Sequence, residues 1–252
     1  MEPLLLVVAL LAIAVVTAIR ARRRTRRQRE LVRLCLDAGV AFAVVDPFPD
    51  TLQLPFRLFA RGGARGVDMV VWDPRDAGAV RVFDYWYEDD AGHPRTSMTC
   101  GVVPLPFTVP PLSVCPRDLA DPSDEAVPGV DVSLELETFN RRFVVSATET
   151  RAAVAFLDQR MMAALLALPL RVAIHVREDR MLLVAPSPEP EEVLALLEVA
   201  RGLARRVPRV MASLYPPRLA EGPFEDRWLQ GSWSPDPTST ERTAFDAAEN
   251  EG

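Results

Sequence analysis

From Pro3 to Ile19 the chain reads PLLLVVALLAIAVVTAI, an apolar run of 17 residues. At about 1.5 Å per helical residue this is the lower limit for crossing a hydrocarbon core about 30 Å thick. Arginine follows at once, at positions 20, 22, 23, 24, 26, 27, 29 and 33, against Glu30 alone. A signal peptide carries its positive charge before the apolar stretch, whereas here the charge comes after it. The pattern therefore predicts an uncleaved transmembrane helix over residues 1–20, lengthened by snorkelling of the Arg20 and Arg22 stems. An arginine flank stays in the cytoplasm, which places Met1 outside and the rest of the chain inside a cell membrane crossed once.

Beyond the basic run, Leu31, Leu34, Cys35 and Ala38 keep helical spacing up to Gly39, so residues 21–50 read as a basic juxtamembrane helix and a Pro-containing linker. Residues 54–147 then read as strands: Leu54–Ala60, Val67–Trp72, Val80–Tyr87, Arg95–Val103, Val130–Leu136 and Arg142–Ala147. The Pro-dotted stretch 104–111 reads as an edge or loop. ARGGARG lacks the order of a phosphate-binding glycine loop and reads as a hairpin turn. The period changes after residue 147. Ser146 and Glu149 are spaced as a capping box for a helix with the stripe Val154, Leu157, Met161, Leu165 and Leu168. Residues 170–177 and 180–185 read as paired strands with a turn at Glu178–Asp179, and Pro190 opens a second helix running to Val207. From about residue 216 eight acids face three arginines among Pro, Gly, Ser and Thr, which reads as a disordered acidic tail.

The expected fold class is thus α+β: an N-terminal transmembrane helix, then a mainly antiparallel β domain over residues 51–215 with two packed helices, and a disordered acidic C-terminal tail over 216–252. The domain is one unit or two lobes, 51–147 and 148–215. A single barrel closed by the last helix, as in pleckstrin-homology modules, is the alternative.

Several stretches together resemble a family of uncharacterised bacterial membrane-anchored proteins known only as a domain of unknown function. They are LPFRLFARGGARGVDMVVW (54–72), VRVFDYWY (80–87), ETFNRRFVV (137–145) and LDQRMMAALLALP (157–169). The resemblance implies an amino-terminal anchor followed by one α+β unit, and no activity.

Composition narrows the chemistry. All 29 basic residues are Arg, so Schiff-base lysines and the phosphate-loop lysine are absent. Setting aside the eight leading arginines with Glu2 and Glu30, residues 34–252 hold 21 Arg against 33 acids. So acidic a domain repels phosphate backbones, and nucleic acid is not expected as a partner. Two His and three Cys without metal-ligand spacing, and no GxSxG elbow, leave no expected metal, cofactor or catalytic residue. His175 falls on the polar face of its strand. Asp84 interrupts the aromatic run 83–87, on one face with Val82 and Trp86, and needs a partner if buried, with Arg141 or Arg142 as candidates. Asp84, Glu137, Arg141 and Arg142 are therefore the candidate ligand-binding or structural polar cluster. Arg20, Arg22, Arg23, Arg24, Arg26 and Arg27 are expected against lipid headgroups. The functional expectation is a membrane-anchored, cytoplasmic, non-enzymatic binding or scaffolding domain, partnered by the lipid bilayer and a protein. A membrane-tethered small-molecule-binding or hydrolytic enzyme using acids and arginines is the alternative.

Overall fold

The structure, a computed structural model, describes residues 2–76, 79–88, 95–119, 123, 125, 127, 129–186 and 188–216; before residue 21 it describes the side chains of Leu11, Val15, Ala18 and Ile19. The expected acidic tail lies outside these residues. One unbroken helix, α1 (Glu2–Ala38), carries both the apolar run and the arginine run. The transmembrane helix expected over residues 1–20 is corrected here, because among the described residues no helix is long and apolar enough to cross a membrane. Its apolar run rises about 25 Å, short of a core about 30 Å thick, and the helix continues without a break into arginine. The last third of α1 is domain structure: Leu31 and Cys35 are fully buried in the larger hydrophobic cluster. Gly39 ends the helix with φ +65°, and the Val40 amide donates back to the Cys35 carbonyl at 3.0 Å.

A seven-stranded antiparallel sheet follows, built from β1 (Ala41–Val45), β2 (Ala64–Trp72), β3 (Arg81–Glu88), β4 (Thr96–Pro116), β5 (Val130–Asp131), β6 (Phe143–Ala147) and β7 (Ala173–Ala185). Its path is β1-β2-β3-β4-β6-β5, with β7 also on β4. β4 is the organising strand. β3 pairs with it from Thr96 to Val102 and β6 from Leu112 to Pro116, while β7 flanks both ladders. The stretch 104–111 therefore lies within this strand and not in a loop. Its prolines fall between the β3 and β6 ladders; Pro104 stands opposite Arg180 of β7, and the others lie where the β7 register is irregular, so few ladder positions need their missing N–H groups. β7 is likewise one strand where two were expected. At the expected turn Glu178 takes φ +54°, and the extra residues of the register shift lie on β4 between Pro104 and Val109, so β7 pairs on either side of it.

The expected strand Leu54–Ala60 is instead a knot of 3₁₀ turns at Thr51–Gln53 and Arg57–Ala60. Its local bonds, Phe59 N–H to Phe56 O and Arg61 N–H to Leu58 O, drive Leu58 and Phe59 into one face of the sheet. There Phe59 meets Tyr85 edge-on at 5.1 Å, and Tyr85 donates its hydroxyl to the Leu58 carbonyl at 2.9 Å.

The other face is covered by helices: α1, α2 (Glu137–Arg142), α3 (Thr150–Phe156), α4 (Gln159–Leu166), α5 (Pro190–Ala204) and α6 (Val210–Leu214). The single helix expected over 148–168 is broken at Leu157, where Asp158 caps α4 by accepting from the Met161 amide at 2.8 Å. Ser146 sits in β6 and takes no part in a capping box. α5 begins at Pro190 as expected, with a capping box between Glu189 and Glu192.

Candidate functional site

Where β4 ends, three chain segments leave a cleft of about 330 Å³. Pro116, Arg117 and Asp118 supply one wall; Thr138, Arg141, Arg142 and Phe143, from α2 and the start of β6, supply the second. The third is the run from Leu168 to Val172 between α4 and β7. Backbone carbonyls hold two of its guanidiniums. Arg117 Nε donates to the Asn140 carbonyl at 2.8 Å, and Arg142 Nη1 to the Leu166 carbonyl at 2.5 Å, the last residue of α4. Carbonyls fix position without neutralising charge, and among the described residues no carboxylate pairs with Arg117 or Arg142. Acids hold the other two: Arg141 pairs with Glu137 at 3.3 Å and Arg171 with Asp118 at 2.9 Å, both pairs largely exposed. Four guanidiniums against two carboxylates leave the cleft about two positive charges in a chain whose net charge is -6. Apolar surface completes it, with half-buried Leu168 and Leu170 in its lining.

Asn140 explains why this corner is built. Its side-chain oxygen accepts from the Leu134 amide at 3.0 Å while its amide nitrogen donates to the Leu134 carbonyl at 2.7 Å, tying the 133–134 segment to α2. Of the candidate cluster, Glu137, Arg141 and Arg142 therefore come together. Arg117, just past the end of β4, and Arg171, expected within the strand over 170–177, join them; the one signal for either is that it borders a strand end.

Asp84 stands apart from that group, beside the opposite end of β4. Strand alternation turns it, as expected, to the face with Val82 and Trp86, which is the face α1 covers. Its partners are Arg27 of α1, at 3.3 Å, and Thr99, which donates its hydroxyl to Oδ1 at 2.5 Å; they are not Arg141 or Arg142. Arg27 also donates to the Pro188 carbonyl. Next to this pair Arg24 meets Asp68 at 2.9 Å, and Arg95 reaches Asp68 while lying 3.8 Å over the Trp86 ring. Burial pushes the Asp84 carboxyl above the ordinary carboxylate value, with Arg27 and Thr99 pulling the other way. Two of the arginines assigned to lipid headgroups, Arg24 and Arg27, thus turn onto the sheet. Arg22, Arg23 and Arg26 are exposed, and the Arg20 side chain lies outside the described residues.

A third cluster joins Ser123 and Glu125 to β7. Ser123 Oγ is 3.0 Å from His175 Nε2, and Glu125 accepts from the Leu58 amide with Arg177 at 3.7 Å from its second oxygen. Ser123, Glu125 and His175 are each at most 2% exposed, so His175, expected on a polar strand face, is buried instead. A nucleophile must meet its substrate, and this serine faces none of the surface. Asp73 is likewise spent internally, on Arg75 and on Arg201 of α5, each at 2.8 Å. Among the described residues, no group of three or more His, Cys, Asp or Glu is placed to hold a metal ion.

No protein-family model matches the chain, and no curated protein does. Among solved structures it is similar to the crystal structure of the mycobacterial trehalose monomycolate transport factor A, TtfA, at 15% identity and a TM-score of 0.48. That likeness covers 72% of this chain and 96% of that one. The functional reading rests on the site itself.

Proposed function

We propose that the chain is a non-enzymatic binding domain whose working surface is the arginine-lined cleft. One observation carries the reading: among the described residues Ser123, His175, Glu125 and Asp73 are buried against internal partners, while the guanidiniums of the cleft face solvent. Ser123 meets His175 and accepts from the Glu125 amide, and Glu125 accepts from the Leu58 amide, all beneath the surface. Asp84 and Asp73 tie α1 and α5 to the sheet. A recognition surface needs the reverse arrangement, with donors fixed in place and open to a ligand.

The competing reading, a hydrolytic enzyme using acids and arginines, would draw on the Ser123–His175 pair. Assays with nitrophenyl esters, phosphates and glycosides test it. The expected result is no turnover above that of the Ser123→Ala and His175→Ala variants, which lose about 1–3 kcal/mol of stability as a buried hydrogen bond goes. Turnover that disappears in either variant while its circular dichroism stays native would overturn the binding reading.

A further inference from the structure

We infer that the cleft receives a phosphate monoester carried on a small apolar group. This rests on the binding-domain reading and names the ligand class for the same site. The charge balance selects the head. Arg117, Arg141, Arg142 and Arg171 face Asp118 and Glu137, leaving about two positive charges. A phosphate monoester brings about -1.5 to -2 near neutral pH and matches that surplus, whereas a single carboxylate leaves one charge uncompensated. The donors are in place before a ligand arrives. Arg117 and Arg142 are pinned by the Asn140 and Leu166 carbonyls, and each guanidinium keeps N–H groups beyond the one so used. The exposed pairs of Arg141 and Arg171 exchange partners at little cost, because surface ion pairs are weak. Shape selects the rest of the molecule. A volume of about 330 Å³ sits at the lower end for ligand pockets, and half-buried Leu168 and Leu170 give an apolar carrier a surface to lie on. An extended polyanion is disfavoured by the acidic surroundings, since residues 34–252 carry 33 acids against 21 Arg.

Titration calorimetry on the full chain, with phenyl phosphate, inorganic phosphate and benzoate as probes, tests the inference. The expected result is saturable one-to-one binding of phenyl phosphate, about tenfold tighter than inorganic phosphate or benzoate and weakening as salt rises. Replacing Leu168 with Asp removes the advantage over inorganic phosphate. The Arg117→Gln/Arg142→Gln variant loses about tenfold or more in affinity. Because Arg142 also braces α4, the exposed pair Arg141→Gln/Arg171→Gln serves as a second variant, with its melting temperature unchanged and its affinity reduced about fivefold. No saturable binding, equal affinity for benzoate, or undiminished affinity in both variants would overturn the inference. Vesicles containing phosphatidic acid separate the sources of the headgroup. Vesicle binding that phenyl phosphate displaces supports a lipid-borne ester, and phenyl phosphate binding without vesicle binding supports a soluble one. Vesicle binding untouched by phenyl phosphate counts against the cleft. That the domain is non-enzymatic survives each of these failures, since turnover alone overturns it; the cleft as its working surface falls only if vesicle binding is untouched by phenyl phosphate.

Discussion

Asp84 holds its proton to a higher pH in the folded protein than in the unfolded chain, because burial outweighs the pull of Arg27 and Thr99. For an acid shifted upward, the stability it contributes is complete below the unfolded value and drains away as pH climbs through the folded one. Asp84→Asn keeps the shape and the Thr99 contact but removes that drain. Against the parent protein the variant should therefore gain stability as pH climbs from about 4 until the folded Asp84 has lost its proton, and level off above that, whatever cost comes from unpairing Arg27. Urea melts of both proteins at several pH values check it, and a difference that stays flat with pH would contradict the account. Asp73 runs the other way. The Arg75 hydrogen bond, opposed by burial and helped by Arg201, holds its carboxyl below the ordinary value, so its contribution is present above the unfolded value and is lost as pH falls. At this scale the sequence discloses faces and not partners. Alternation along 82–86 places Asp84 correctly against Val82 and Trp86, but its cation comes from Arg27, 57 residues upstream on another element. No periodicity encodes that meeting. His175 shows the same limit, since its buried partner, Ser123, stands 52 residues upstream.

Elements were legible where one period governs one partner. α5 shows its stripe, its Pro190 start and its acidic first turn, and folds accordingly. β4 and β7 were read as fragments because proline and a left-handed Glu178 interrupt the local signal, while the pairing that bridges those interruptions is long-range. α1 is the element with the largest consequence. Arg24 and Arg27 join its middle to Asp68 and Asp84, and Leu31 and Cys35 seat its end in the core. Burial raises the Cys35 thiol to about 11, so reagents reach its thiolate only when α1 lifts away. In a Cys115→Ser background, Arg24→Glu/Arg27→Glu should therefore speed labelling of Cys35 about tenfold, the effect of weakening docking by about 1.4 kcal/mol, while Cys100 in the sheet core is unaffected. Equal acceleration at both cysteines would mean global loosening, and no acceleration would mean that the ion pairs do not hold the helix.

For the whole molecule, the question is where the folded unit begins. Read by hydropathy, the chain breaks near residue 20, with an anchor before it and a basic connector to about residue 50. Read by burial, the connector dissolves. Arg24 and Arg27 bind the sheet, Leu31 and Cys35 are core residues, and β1 pairs with β2 from Ala41 to Val45. The reason lies in what a hydropathy pattern measures. A dense arginine run looks solvated whichever acids it meets, and the acids at positions 68 and 84 are scattered among strand residues. Burial of Leu31 also links α1 to the same hydrophobic cluster that holds α3, α4 and α5, so this helix closes the helical layer of the domain. Two truncations separate the readings. Removing residues 1–20 should leave the thermal unfolding midpoint within a few degrees, because the described side chains there, Leu11, Val15, Ala18 and Ile19, are exposed. Removing residues 1–38 strips Leu31 and Cys35 from the core together with both ion pairs. Loss of the leucine alone is worth about 2–5 kcal/mol, a large part of a typical domain's stability. The shorter chain should then unfold at a much lower temperature or fail to fold. A 39–252 protein that melts with the parent would instead make α1 an appendage and return the boundary to where the hydropathy pattern puts it.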